Sequence, residues 1–385
     1  MPTPQLPPEL LYDIINHLGA EGDYASLCAC ASTCRALISP ARAHIFRSLT
    51  LSRESRTLSW LAKLESEPHI RTYIKHLCVA EYHRPWIQSS EALHRTLGLL
   101  SPYVVSLDIH HQRRKLESVR FDFPVLSQLK CVEQISLTEQ DPEGQAEIMR
   151  GDNALPTFLN HFPNLRAITF GGCWVQVKRA DDESGIATPG FQLERLYTDT
   201  CYDALVLDWL VPALSSLKTL RLVYNLKNQV IPIFSATACP QFESLEHVDV
   251  RGLNNASDAE LLSLIAALTH TVSLRSITTI NSQFKFASED SPIIEVVVQF
   301  LCLLHAHRHL RHLTIGFFEE DDLVRRSPWD ELQDLLLGGR FPALQSVKFV
   351  FWSGSSESNP VTTEPFFAAV PRLVQKKMVS ACYYR

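Results

Sequence analysis

The stretch Leu217-Lys218-Thr219-Leu220-Arg221-Leu222 sets the pattern of the chain: apolar, two variable, apolar, variable, apolar. The same frame returns as Leu245-Glu246-His247-Val248-Asp249-Val250 and as Leu165-Arg166-Ala167-Ile168-Thr169-Phe170. Looser copies begin at Phe46, Ile74, Val104, Val132, Leu193, Leu274, Leu310 and Leu344. The eleven starts are separated by 28, 30, 28, 33, 28, 24, 28, 29, 36 and 34 residues. So regular a spacing indicates stacked supersecondary units; an ordinary α/β sheet protein, the alternative, rarely keeps one spacing over so many intervals.

Within each frame the last residues alternate. Positions four and six point to one face of a short strand, and positions three, five and seven to the other. Between frames, Leu58–Leu64, Asp208–Leu214 and Glu260–Leu268 carry helical spacing. One strand and one helix cannot bury their own apolar faces, but stacked copies can. The polar connections Glu139–Asn153, Gln176–Gly190, Gln283–Pro292 and Phe318–Pro328 read as loops inserted on the surface of the stack. Ser353–Pro360 has no apolar period. Beyond it Phe366-Phe367, Leu373-Val374 and Met378-Val379 predict a helix, with room for a twelfth strand, capping the open end.

The N-terminal region follows a different period. Residues 1–5 are a Pro-rich tail, and Leu6-Pro7-Pro8-Glu9-Leu10-Leu11 opens a helix that continues to Leu18. Proline suits a first helical turn, and Glu9 complements the helix dipole. Leu6, Leu10, Ile14, Leu18, Leu11 and Ile15 span an apolar arc of about 180°, against the ~100° stripe of a typical surface helix. Gly19–Asp23 reads as a turn. A second helix then places Leu27, Cys30, Cys34 and Leu37 on one buried face and should end at Pro40, and a third short segment reaches Phe46. So small a module cannot cover so wide an arc, so the remainder should be covered by a partner or by the first repeat.

Composition narrows the function classes. The chain has 385 residues, 45% hydrophobic and 20% charged, with a formal net charge of −6. Slight acidity argues against nucleic acid as a partner. No run reaches the ~18 apolar residues of a membrane span, and Met1–Gln5 has no signal-peptide character. The ten cysteines are scattered. They read as reduced, buried thiols of a cytoplasmic or nuclear protein.

The repeated frames resemble leucine-rich repeats with helices on the convex side, over about residues 46–352. The Asn or Cys usual after the strand is mostly missing; Cys173 and Asn281 come nearest. The N-terminal residues resemble an F-box over about residues 4–49: Leu6-Pro7-Pro8-Glu9-Leu10, then Ile14, Leu18, Leu27 and Cys34-Arg35. Leu37 stands where that family commonly has Trp, and Ser32-Thr33 where it has an apolar pair. The resemblance implies a fold of class α/β, a leucine-rich-repeat solenoid with a curved, mainly parallel sheet. An F-box-like helical module (1–45) precedes about eleven irregular units (46–352), and a flexible loop and cap (353–385) follow. A cap that only closes the N-terminal end of the stack is the other reading of the module.

The resemblance further implies the substrate-recognition subunit of a cullin–RING ubiquitin ligase of the SCF type. Its F-box would dock on a Skp-type adaptor through Leu6, Pro7, Glu9, Leu10, Ile14, Ile15, Leu18, Leu27, Cys34 and Leu37. The competing reading is a protein-interaction scaffold outside any ligase. In either case the partner protein is expected on frame positions three, five and seven of the central units: Arg195, Tyr197 and Asp199; Arg221; His247, Asp249 and Arg251. Tyr and Arg are enriched at binding hot spots, and outer units offer blander residues such as Ser106 and Asp108, or Ser276 and Thr278.

Catalytic and metal chemistry find little footing. Walker, GxGxxG, GxSxG and HExxH patterns are missing, so no enzyme activity and no cofactor are expected. His305 and His309 stand four apart but lack further ligands at matching spacing. Cys30 and Cys34 read as packing residues. His110–Lys115 and the Glu319–Asp322 run with Arg325-Arg326 read as solvated loops.

Overall fold

The computed structural model describes residues 7–82, 86–87, 89–112, 124–139, 147–150, 154–171, 174–176, 187–198, 209–223, 242–251, 264–265, 268, 271–281, 293–304, 308–318, 329–352 and 364–384. Two compact units are present. The first holds Met1–Glu117, Phe121–Ala146 and Thr157–Leu165, and the second Arg166–Arg385 with two short earlier pieces.

The first unit opens with α1 (Pro8–Glu21), α2 (Tyr24–Thr33) and α3 (Arg35–Ile45). Then come β1 (Ser48–Leu51), α4 (Glu54–Ser66), β2 (His76–Tyr82), α5 (Glu91–Leu100), β3 (Ser106–Gln112) and β4 (Gln134–Glu139). The second unit carries β5 (Glu147–Arg150), β6 (Ala167–Gly171), β7 (Trp174–Gln176), β8 (Arg195–Thr198), β9 (Thr219–Val223), β10 (His247–Arg251) and β11 (Ser276–Asn281). It continues with β12 (His312–Phe318), β13 (Ser346–Trp352) and β14 (Val379–Tyr384). In the first unit β1 to β4 pair in parallel in chain order, and in the second β6 and β8 to β14 do the same. Every strand from a frame begins two residues after the frame start, from Phe46 and Ser48 to Leu344 and Ser346.

The register explains why one frame makes one strand. Leu196, Leu220, Val248 and Ile277 face one another across four parallel strands, and Thr198, Leu222, Val250 and Thr279 form the next row. All eight are at most 2% exposed. The frame-start leucines Leu193, Leu217, Leu245 and Leu274 are fully buried too. A second device ties the units at the strand entrance. The Arg166 carbonyl accepts the N–H groups of Glu194 and Arg195, and those of Glu194, Lys218, Glu246, Arg275 and Arg311 each accept two from the next unit. This backbone ladder satisfies groups that would otherwise be orphaned as the chain enters each strand. The chain has a leucine-rich-repeat fold.

The two threonines among the inward rows are not equivalent. Thr198 Oγ1 donates to the Arg221 carbonyl at 3.1 Å. Thr279 Oγ1 is buried with no partner among the described residues. An unmet buried hydroxyl carries its full desolvation cost. Thr279→Val is therefore expected to raise stability by about 1 kcal/mol, read as a higher denaturant midpoint at unchanged slope; a lower midpoint would contradict this.

Several expectations need correction. The stretch 139–153 is not a loop throughout, because Glu147–Arg150 pairs in parallel with Trp174–Gln176 in a separate two-stranded sheet, which takes only Gln176 from the stretch 176–190; residues 177–186 lie outside the described residues. Ile148 on one side and Trp174 and Val175 on the other are strand-forming residue types. In Asp208–Leu214 a 3₁₀ turn covers Val211–Ala213, with Pro212 inside it. Gln283–Pro292 and all of Phe318–Pro328 beyond Phe318 lie outside the described residues, as does Ser353–Pro360. β14 pairs in parallel with β13, and Phe366 packs on Phe349 and Trp329 with ring centroids 4.6 and 5.4 Å away. Fully buried Gln333 accepts from the Arg372 N–H at 3.0 Å and donates to the Ala369 carbonyl at 3.4 Å.

The thiols are less enclosed than expected. Cys28, Cys34 and Cys302 are exposed and Cys30, Cys78, Cys131 and Cys382 half-buried, all unpaired. No described helix is long and apolar enough to cross a membrane.

Candidate functional site

The first candidate surface lies on α1. Pro7 stands at its N-cap and Pro8 in its first turn. Gly22, at φ 72°, ends it in the left-handed conformation that costs glycine no Cβ clash, and the Asp23 N–H closes on the Leu18 carbonyl at 3.0 Å. The helix thus runs through the expected turn at Gly19. Gly19 sits where α3 crosses: a Cβ there would lie 2.1 Å from His44 Nδ1. His44 Nε2 in turn meets Asn16 Oδ1 at 3.0 Å.

The second helix does not extend to Pro40. Ser32 and Thr33 hydroxyls turn back onto the carbonyls of Ala29 and Cys30, and Cys34 is extended at φ −149°, ψ 152°. Side-chain bonds of this kind compete with helix continuation. α3 starts afresh at Arg35 with Pro40 inside it, folds back, and buries Ala41 against Ile15 and Leu27. Cys34 is exposed at this break and does not share a buried face with Cys30.

The apolar arc of α1 consequently splits. Ile15 is 1% exposed, and Leu18 and Leu37 pack against the core formed by Ile15, Leu27 and Ala41. Ile15 and Leu27 therefore support the face and do not form it, a correction to their place among the contact residues. Leu10 and Ile14 remain 49% and 47% exposed. Pro7, Glu9 and Cys34 are exposed, and Leu6 lies outside the described residues. The open side keeps Leu10 and Ile14 about half exposed even with the first repeat in place. The first repeat meets α3 and the following Phe46: Ser39 Oγ meets Tyr73 Oη at 3.2 Å, Arg42 Nη1 meets His69 Nε2 at 3.0 Å, and Phe46 sits edge-on to Trp60.

The second candidate surface is the outward face of β8–β10. Burial alternates along each strand, so Arg195, Tyr197, Arg221, Asp249 and Arg251 are half-buried and His247 is exposed. Register places Tyr197 beside Arg221 and Arg221 beside Asp249. The structure adds a pairing. Asp249 Oδ2 lies 3.2 Å from Arg221 Nε and 3.3 Å from Arg251 Nη2. Asp199 lies outside the described residues. At the strand entrance, Glu194 pairs with Arg166 and Lys218, and Glu246 with Arg275, at 3.2–3.5 Å. Exposed pairs of this kind contribute little stability individually.

The first unit carries a cluster that the sequence reading passed over. His76 and Asp108 flank Cys78, and Arg47 Nε donates to His76 Nε2 at 3.1 Å. His110 Nδ1 meets the Thr138 hydroxyl. Burial pushes the Asp108 carboxyl above its ordinary value, against the pull of His110 and His76. Burial, with Arg47 next, holds the His76 pKa down. Burial and then Asp108 push the Cys78 thiol up to about 11, so it is no nucleophile at neutral pH. Ser106, expected on this outward face, is 8% exposed. An acid with a raised native pKa costs stability once charged, and that cost vanishes below the unfolded value of 3.8. Asp108→Asn is therefore expected to raise the melting temperature at pH 7 and to lose that advantage as the pH falls towards 3.8; an advantage independent of pH would contradict the assignment.

Among the described residues no group of three or more His, Cys, Asp or Glu side chains could hold a metal. His305 lies outside them, and exposed His312 contacts Ser346 Oγ at 2.9 Å.

No protein-family model matches the chain. No curated protein matches it either. Among solved structures, the leucine-rich repeat-containing protein LegL7 from Legionella pneumophila is similar at 14% identity, over 86% of this chain and 98% of that one, with a TM-score of 0.44. The fold rests on the strand register of the chain itself.

Proposed function

We propose that the chain is a protein-recognition subunit that docks through α1 on a Skp-type adaptor, and through it on a cullin–RING ligase, while the outward strand face holds the protein to be modified. The observation that carries this reading is the open Leu10–Ile14 face: α3 already joins the module to the first repeat, yet these two side chains stay about half exposed. An apolar helix face with a firm core beneath it suits helix docking. The F-box-like residues Pro7, Glu9, Leu10 and Ile14 lie on or beside it. In this role the chain performs no bond chemistry. It raises the effective concentration of a bound protein's lysines near the conjugating enzyme. Affinity capture of the tagged full chain tests the proposal: adaptor and cullin should be recovered together. Recovery of other proteins without either would favour the scaffold reading.

A further inference from the structure

We propose that Arg221 and Arg251, which converge on Asp249, bind a carboxylate side chain of an acidic protein segment laid across β8–β10; this rests on the outward strand face being the recognition surface. Asp249 Oδ2 is 3.2 Å from Arg221 Nε and 3.3 Å from Arg251 Nη2, and Arg251 Nε lies 3.4 and 3.3 Å from the two carboxylate oxygens. Two guanidinium groups on different strands therefore converge on one acid. A guanidinium carries five N–H donors. The contacts with Asp249 run through Nε of Arg221 and through Nε and Nη2 of Arg251, so among the described residues the terminal nitrogens of Arg221 and Nη1 of Arg251 are left for an outside acceptor.

Exposure and charge agree with that use. The arginine side chains are 36% and 37% exposed and Asp249 only 23%, so the acid sits deeper and the guanidinium groups stand above it. Two arginines against one aspartate leave a positive charge, and Arg195 adds another. Asp249 is the only acid among the described residues of β8, β9 and β10. Among the described strand residues this surplus is local, because the whole chain has a formal charge of −6. Asp249 itself shows that the fork accepts a planar carboxylate. Tyr197, in register with Arg221 one strand away, offers a flat amphipathic side chain to a neighbouring residue of the same segment. A row of half-exposed residues running across strands suits an extended chain, whereas a small free acid needs an enclosing pocket.

The test is fluorescence anisotropy of the full chain with a labelled Glu- and Asp-rich peptide, its Gln/Asn counterpart and its phosphoserine counterpart. The acidic peptide should bind, more weakly as salt rises, and the amide peptide should not. Arg221→Gln should weaken binding by about tenfold. Asp249→Asn should strengthen it, because the internal competitor for both guanidinium groups is removed; a purely structural Asp249 would give the opposite. The proposal is overturned by equal binding of the amide peptide, by weaker or unchanged binding in Asp249→Asn at preserved melting temperature, or by a strong preference for phosphoserine, which would assign the site to phosphate. Adaptor binding through α1, measured on the same preparations, reports separately on the docking proposal.

Discussion

Leu220→Ala is expected to destabilise the chain by about 2–5 kcal/mol. Leu220 is fully buried in β9, and its register partners Leu196 and Val248 are buried on the strands to either side. Truncation removes apolar contacts to both neighbours and leaves a cavity in a row that cannot close without shifting two strands. Stacked repeats communicate chiefly through such neighbour contacts, so the loss should also lower the cooperativity of unfolding. Leu58→Ala is the matched control: Leu58 lies on α4 and is 53% exposed, so its cost should stay within about 0.5 kcal/mol. Chemical denaturation of both variants decides the point; equal shifts would contradict the assignment of the frame to the buried face.

Leu10→Asp should lose the adaptor while keeping the fold. Leu10 is 49% exposed and stands outside the core of Ile15, Leu27 and Ala41. Circular dichroism and the melting temperature should therefore remain close to those of the parent. At a docked interface the new carboxylate would be buried without a partner, which costs about 3 kcal/mol, roughly a hundredfold in affinity. Leu27→Asp would fail for a different reason, since Leu27 is fully buried and its replacement should unfold the module. A folded Leu10→Asp protein that binds adaptor at full strength would remove the docking face from the account.

The strands were legible because each frame states its burial twice, once by the leading apolar residue and once by the alternation behind it. Lone Thr198 and Thr279 at the sixth position did not disturb the pattern, since the rows around them stay apolar. The helical module was less legible. The local sign of the break at Cys34 is the Ser32-Thr33 pair, whose hydroxyls turn back onto the helix carbonyls; that α3 then folds back to bury Ala41 and to pass Gly19 depends on tertiary packing. The Arg221–Asp249–Arg251 cluster needed the register. Its signal was present, because residues at the same frame position in consecutive frames must stand side by side, and Arg221 and Asp249 both hold the fifth. The same rule applied to β2 and β3 puts Cys78 beside Asp108, but burial decides how those groups titrate, and frames alone do not give it.

The account's central claim is that α1 presents a docking face and the strand face does not serve the same partner. Hydrogen–deuterium exchange of the full chain, with and without a Skp-type adaptor, tests it directly. Added adaptor should slow exchange across the α1 residues around Leu10 and Ile14 and leave β9 and β10 unchanged. Unchanged exchange in α1, or protection confined to the strands carrying Arg221 and Asp249, would contradict it.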